Sequence, residues 1–322
     1  MKKIVCIAAV FMALAGGLFA GGGGEYPARN IEAIVGYSAG GSTDLGTRGL
    51  FEAASSELPS GVNFVVSNVV GDAGLIGFNK FLQARPDGYT LMAANIDIAI
   101  NYAIGRTKIS IDDWIPVGCA FYDPYGLIVG NSPNYKTFKE FIDYAKSHPG
   151  QVTMGHSGLG GTPQILTTAI EKHFGVSFKY VPYNSSADCA VAIVAGDIEG
   201  SVSQATPALS QIKAGNIRLL TMFTDERSGL WPDTPAAKEY YPDFDNKFVA
   251  WGFVAVPKGT PPEIIKYLEG VFDRARVKPE YKQIVANLNQ DVAPINSPDM
   301  AAFIKGQYDL YAELCKDMQV TK

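Results

Sequence analysis

Short apolar blocks recur along the chain, each followed by a glycine- or serine-rich turn and then by residues at helical spacing. Residues 31–37 are apolar and β-branched, as in a buried strand, and Ser38-Ala39-Gly40-Gly41 is a tight turn. Ser42, Thr43 and Asp44 each suit a helix start, and a helix is expected to about Glu57, with Leu50, Ala53 and Ala54 inward. Residues 62–67 read as a second strand. Gly71, Gly74 and Gly77 mark a loop into a helix through Leu82, and Pro86-Asp87-Gly88 turns into a third strand over 89–94. This strand–helix alternation predicts a parallel sheet with crossover helices.

The pattern then restarts. A helix is expected over 137–146 and strands over 152–154, 178–181, 198–202 and 217–223. Gly155 to Gly161 leads into a helix that Thr162 can cap, with Pro163 in its first turn and Leu166, Ala169, Ile170, His173 and Phe174 on one apolar face. Ser185 or Ser186 caps the next helix, with Val191 and Val194 inward and Gly196 as its stop. Residues 248–256 form an apolar strand, and Thr260-Pro261-Pro262-Glu263 reads as a capping box. It precedes Ile264, Ile265, Leu268, Val271 and Phe272 at helical spacing. A last helix over 300–316 carries Tyr308 and Tyr311 as packing residues.

The first twenty residues change the picture. Met1-Lys2-Lys3, an apolar run over 4–19 and Ala20 form a secretory signal peptide, with cleavage expected after Ala20. The run is shorter than the roughly 20 residues of a membrane span. The chain is therefore expected to be exported, at the periplasmic or extracytoplasmic face, and a monomer. Its 322 residues suit two domains, and 47% hydrophobic against 18% charged residues suit a packed core. Net charge is −5, and −7 once Lys2 and Lys3 leave, which argues against a nucleic-acid or anionic-membrane partner. After cleavage Cys119, Cys189 and Cys315 remain, with no C-x-x-C pair; they are expected to be buried small hydrophobes.

Catalytic and metal chemistry is weakly supported. His148, His156 and His173 have no zinc-ligand spacing, so neither a metal nor a cofactor is expected. Residues 155–159 (GHSGL) miss the G-x-S-x-G elbow by their last residue, and residues 155–162 (GHSGLGGT) miss the phosphate loop by its lysine. What remains is a pair of lysine-free turns, 38–44 and 155–162. Each aims backbone N–H groups and a helix N-terminus at the carboxyl ends of the strands, a cradle for a small carboxylate.

An ordered set of motifs carries a resemblance. Tyr26-Pro27, Ile34-Val35 and the loop from Ala39 to Asp44 come first. Asn68, Gly71 to Gly77, and Pro86-Asp87-Gly88-Tyr89-Thr90-Leu91 follow. Gly158 to Pro163, Val181-Pro182-Tyr183, Lys213 to Arg218 and Pro257-Lys258-Gly259-Thr260-Pro261 complete the series. From Tyr26 to about Asp291 the chain resembles the periplasmic solute receptors of tripartite tricarboxylate transporters, the Bug family. The resemblance implies a two-lobed α/β periplasmic-binding-protein fold of the Venus-flytrap, class II-like type. Residues 25–124 plus 250–322 would form lobe 1 and residues 125–249 lobe 2, with hinge strands crossing near 122–127 and 248–252.

The resemblance also implies a function: a non-enzymatic receptor that captures a small organic carboxylate for the large and small membrane subunits of a transporter. Ligand contacts fall on Tyr37, Ser38, Ala39, Gly40, Gly41, Thr43 and Asp44 of the first loop. In the second lobe they fall on Ser157, Gly158, Gly160, Gly161, Thr162 and Tyr183. Two departures stand out. Gln164 replaces a frequent His, and Asn184-Ser185 replaces a frequent Lys-Gly pair. Losing that lysine argues for a neutral, hydroxylated or amine-bearing distal part of the ligand, and Asn184, Gln204 and Thr206 are the specificity candidates. An exported α/β hydrolase or esterase using Ser157, or a receptor that signals carboxylate without feeding a transporter, are the alternatives.

Overall fold

A computed structural model describes residues 26–157, 161–224, 226–244, 249–290, 292 and 295–314. The signal segment, Gly158, Gly160 and Cys315 lie outside the described residues.

The strands are β1 (Ile31–Val35), β2 (Phe64–Asn68), β3 (Thr90–Asn95), β4 (Trp114–Gly130), β5 (Thr153–Ser157), β6 (Lys179–Tyr183), β7 (Gly200–Gln204), β8 (Ile217–Met222) and β9 (Val249–Pro257). The helices of the first half are α1 (Ser42–Ser55), α2 (Leu75–Leu82) and α3 (Asp97–Ala103). The second half holds α4 (Phe138–Ser147), α5 (Thr162–Phe174), α6 (Ser186–Ala195), α7 (Leu209–Lys213) and α8 (Ala237–Tyr240). The C-terminal stretch holds α9 (Pro262–Arg276), α10 (Pro279–Asn287) and α11 (Met300–Leu314).

The strands order as β2-β1-β3-β9-β4-β7-β5-β6, with β8 also on β4. The expected parallel units are present: β1 pairs in parallel with β2 and β3, and β5 with β6 and β7. Strand β4 joins the two halves. Residues Trp114 to Pro124 pair antiparallel with β9, whereas Tyr125 to Val129 pair with β7 and Gly126 to Gly130 with β8. Partners therefore change between Pro124 and Tyr125. This strand is nearly buried throughout, yet its sequence carries Pro116, Gly118, Pro124 and Gly126, which weaken a strand signal. Its ladder with β9 shifts register at Pro116/Gly118 and Cys119/Tyr122.

The cores follow the helix faces. Leu50, Ala53 and Ala54 of α1 are buried against the β1 face, with Leu268, Val271 and Phe272 of α9 beside them. Leu166, Ile170 and Phe174 of α5 are buried, while Ala169 is half-buried and His173 reaches the surface. Tyr308 and Tyr311 pack into the core.

Several local expectations are corrected. Val191 is 70% and Val194 47% exposed; the inward face of α6 is Cys189, Ala190, Ala192 and Ile193. This helix is apolar all round, so periodicity alone could not choose its face. Thr162 is the first residue of α5 and not its cap; Gly161 takes that position and the Thr162 hydroxyl turns elsewhere. Pro261 precedes α9 without a side-chain cap, and the Thr260 hydroxyl donates to the Pro257 carbonyl. Helices α3 and α10 were not expected from the sequence pattern.

Candidate functional site

Three helix N-termini meet where the two halves of the sheet face each other. Helix α1 starts after Gly41, which supplies no side-chain cap, so the amides of its first turn are free of that kind of partner. Helix α6 is closed by Ser185, whose Oγ accepts the Asp188 amide. Helix α5 is closed by Asp97 from the other half of the chain: its Oδ1 accepts the Thr162 amide at 2.8 Å and the Thr162 hydroxyl at 2.7 Å.

Between them lies a small cavity of about 10 Å³, the room of a single water, as the walls stand in contact. The first half lines it with Tyr37, Gly41, Ser42, Thr43 and Asn95, and the second half with Ser157, Ser185, Ser186 and Gln204. None of these side chains carries a formal charge. The wall is therefore polar and neutral, built from hydroxyls, amides and backbone.

The first loop is held in shape by Asp44. Its Oδ2 accepts the Gly40 amide, and its Oδ1 accepts from Arg48 Nε and Asn68 Nδ2, both at 2.8 Å. Asn68 also donates to the Tyr37 carbonyl. Gly40 has φ +80, a left-handed conformation that glycine adopts without strain. Tyr37 continues the scaffold. Its hydroxyl lies 2.8 Å from both Asn95 Oδ1 and Asp97 Oδ2, and Asn95 Nδ2 donates to Thr43 Oγ1. Burial pushes the Tyr37 hydroxyl well above its ordinary value, so it stays protonated and able to donate.

The two walls touch. Ser38 Oγ is 3.3 Å from Asp188 Oδ2, the Ser42 amide 3.5 Å from Ser186 Oγ, and a Cβ on Gly41 would sit 3.3 Å from Ser185 Cβ. Beneath the cavity floor, on the stretch where β4 changes partners, Asp123 is fully buried. Ser42 Oγ donates to it, as does Gln290 Nε2 at 3.1 Å. Burial pushes the Asp123 carboxyl up to about 7, opposed by donors from Ser42, Gln290 and Thr206.

The sequence-predicted residues therefore divide. Tyr37, Gly41, Thr43, Ser157 and Gln204 come together on the cavity wall. Asp44, Gly161, Thr162 and Thr206 are buried behind it as supports, and Ser38 and Gly40 are half-exposed at its edge. Ala39 and Asn184 are exposed. Tyr183 is half-buried, its ring 3.3 Å from a Cβ built on Gly155, and it packs against the Cys189 cluster. Asn95, Asp97, Ser186 and Asp123 escaped the sequence reading. Asn95 ends β3 and Asp97 lies two residues beyond it, where an open α/β sheet places ligand-facing groups, and that rule alone could have found them.

A serine nucleophile has little support around Ser157. The His156 ring packs edge-on against Tyr180, His148 stacks on Tyr144, and His173 lies against Phe174 and Phe244. Among the described residues no group of His, Cys, Asp and Glu has the arrangement of a metal site, and no helix is long and apolar enough to cross a membrane. Cys119 and Cys189 are free and buried, and burial pushes both thiols up to about 12.

Comparison with known proteins places this geometry. Residues 47–320 match the tripartite tricarboxylate transporter family receptor. The chain belongs to this family. A similar relative is the "UPF0065 protein in gbd 5'region" of Cupriavidus necator, 32% identical over 286 residues, covering 87% of this chain and 84% of that protein. A solved structure titled "Structure of a periplasmic transporter" is 28% identical, with a TM-score of 0.85 over 92% of this chain and 99% of that one. A second, of an R. palustris protein with adipate, is 24% identical with a TM-score of 0.85, covering 91% of this chain and 98% of that one. The family's fold is that of a two-lobed periplasmic binding protein.

Proposed function

We propose that this receptor captures a small organic carboxylate between its lobes, outside the cytoplasmic membrane, and delivers it to the membrane subunits of a tripartite tricarboxylate-type transporter. The observation that carries the reading is the uncapped N-terminus of α1 on a polar cavity whose lining side chains are uncharged. Apart from the Ser42 amide, which makes a long 3.5 Å contact to Ser186 Oγ across the cleft, the first-turn amides and the positive end of the helix dipole favour an anion without needing Lys or Arg. The adipate in a structural neighbour of the same fold supports an acid as the ligand.

In this reading lobe 1 comprises residues 25–124 and 250–322, and lobe 2 residues 125–249. The change of partners at Pro124/Tyr125 supports that division. Opening about β4 and β9 would part Gly41 and Ser42 from Ser185 and Ser186 and admit the ligand; closure would bury it. Tyr37, Gly41, Thr43, Ser157 and Gln204 would face the ligand, while Asp44, Gly161 and Thr162 shape the loops around it.

A thermal-shift screen of the chain from Gly21 against citrate, malate, succinate, glutamate, aspartate and nicotinate tests this. An acid at about 100 times its Kd stabilises by about 2.7 kcal/mol, a readable shift in melting temperature. A flat response from refolded, ligand-free protein would refute capture of these acids. Turnover of p-nitrophenyl esters, lost on Ser157→Ala, would establish the esterase alternative instead.

A further inference from the structure

The cleft holds two long helices whose N-termini could each receive an anion, α1 and α5. Only one of them is open. The Asp97 carboxylate lies at the start of α5, taking both the amide and the hydroxyl of Thr162. Its other oxygen is 2.8 Å from the Tyr37 hydroxyl, and the side chain is 1% exposed. Gly161 leaves the space for it: a Cβ there would sit 3.2 Å from Asp97 Oδ2 and 3.0 Å from the Ser157 carbonyl oxygen. Tyr37, Asn95 and Ser157, which surround this carboxylate, are themselves cavity wall. The start of α5 thus borders the ligand space, and the chain has filled it with its own acid.

Resting on the carboxylate reading above, we infer that Asp97 is a specificity-determining residue: it stands in for a second ligand carboxylate at α5, so the receptor selects acids whose distal end is uncharged or cationic. A distal carboxylate brought toward α5 meets a carboxyl group where free donors would be needed. Desolvating two acids side by side without a cation disfavours the pair. A distal amide, hydroxyl or ammonium meets the Asn95 and Ser157 side chains on the wall instead, with the Asp97 acid directly behind them. The absence of any cation among the lining side chains works in the same direction.

Acid–amide pairs of nearly equal shape isolate the effect: aspartate with asparagine, glutamate with glutamine, succinate with succinamate, adipate with its half-amide. Titration calorimetry of the unmodified receptor is expected to favour the half-amide or amide by at least tenfold in the pair that binds best. In Asp97→Asn and in Asp97→Ser that ratio is expected to fall at least tenfold, with the diacid gaining in absolute affinity in the serine variant. Loss of packing alone would weaken both members of a pair equally and leave the ratio in place. If neither variant folds, Gly161→Ala, whose Cβ crowds the carboxylate at 3.2 Å and loosens its hold on Thr162, should move the ratio in the same sense. A diacid preference in the unmodified receptor, or an unchanged ratio in the folded variants, overturns the inference while leaving carboxylate capture intact. Failure of every acid and amide to bind refutes both.

Discussion

Asp123 is the residue whose chemistry reaches furthest. It is a buried carboxyl with a value raised to about 7, placed where β4 changes partners and bonded to Ser42 at the start of α1. The sign of its contribution follows. Between its ordinary value near 4 and about 7, the folded chain holds a proton that the unfolded chain has released. Stability from this group is therefore greatest at low pH, declines as pH rises through that window, and is level above it. Asp123→Asn removes this slope. Urea unfolding at a series of pH values is expected to show the variant gaining on the parent from about pH 4 to about pH 7, by a few kcal/mol in total, and then running parallel. A constant difference across that range would show that Asp123 is ionised throughout.

At the scale of elements, the strand–turn–helix units were legible because each β-branched run ends in glycine or serine before an amphipathic helix. Most strand ends moved by one or two residues, and β5 runs three further than expected, to Ser157. The loop 38–44 was found for the same reason, since a Gly-Gly turn followed by Ser-Thr-Asp leaves a helix start facing the strand ends. Other parts were illegible for physical causes. The full length of β4 was hidden because prolines and glycines are tolerated there by register shifts that only its partners reveal. The α6 face was hidden because all its sides are apolar. Asp97 and Asp123 were missed because a single acid in an apolar stretch gives no periodic signal, and only the fold brings Thr162 and Ser42 to them.

Packing between elements supplies a sharper test. Phe121 of β4 fills the space left by two glycines, Gly46 of α1 and Gly252 of β9; a Cβ at either would overlap its ring. Gly252→Ala is expected to destabilise by about 1–3 kcal/mol, lowering the melting temperature by several degrees. Phe121→Leu, destabilising alone, should recover part of that loss in the double variant. Additive losses would mean that the ring is not the obstacle.

For the whole molecule, the wall-to-wall contacts of Ser38, Ser42 and Asp97 with Asp188, Ser186 and Thr162 describe lobes already touching. These contacts are few and span polar groups. The free receptor in solution is therefore expected to sample more open arrangements, and ligand to shift it toward the closed one. Small-angle scattering should show a radius of gyration that falls on saturation with a ligand found by thermal shift. No change on saturation would mean that the free receptor is already closed.

The position of β9 between β3 and β4 has a consequence for how the chain matures. A strand from the last quarter of the sequence is the seam that fastens two strands made much earlier. Until residue 257 has emerged, β3 and the first part of β4 each present a row of unsatisfied amides and carbonyls, a template for wrong pairing. The second lobe's β5, β6, β7 and β8 come earlier in the chain than β9 and are complete before it. The first half of the sheet is thus the part that β9 completes last. A nascent chain halted before residue 249 would carry a finished second lobe on an open, adhesive first one, which makes late-truncated products the ones that depend most on chaperones to stay apart.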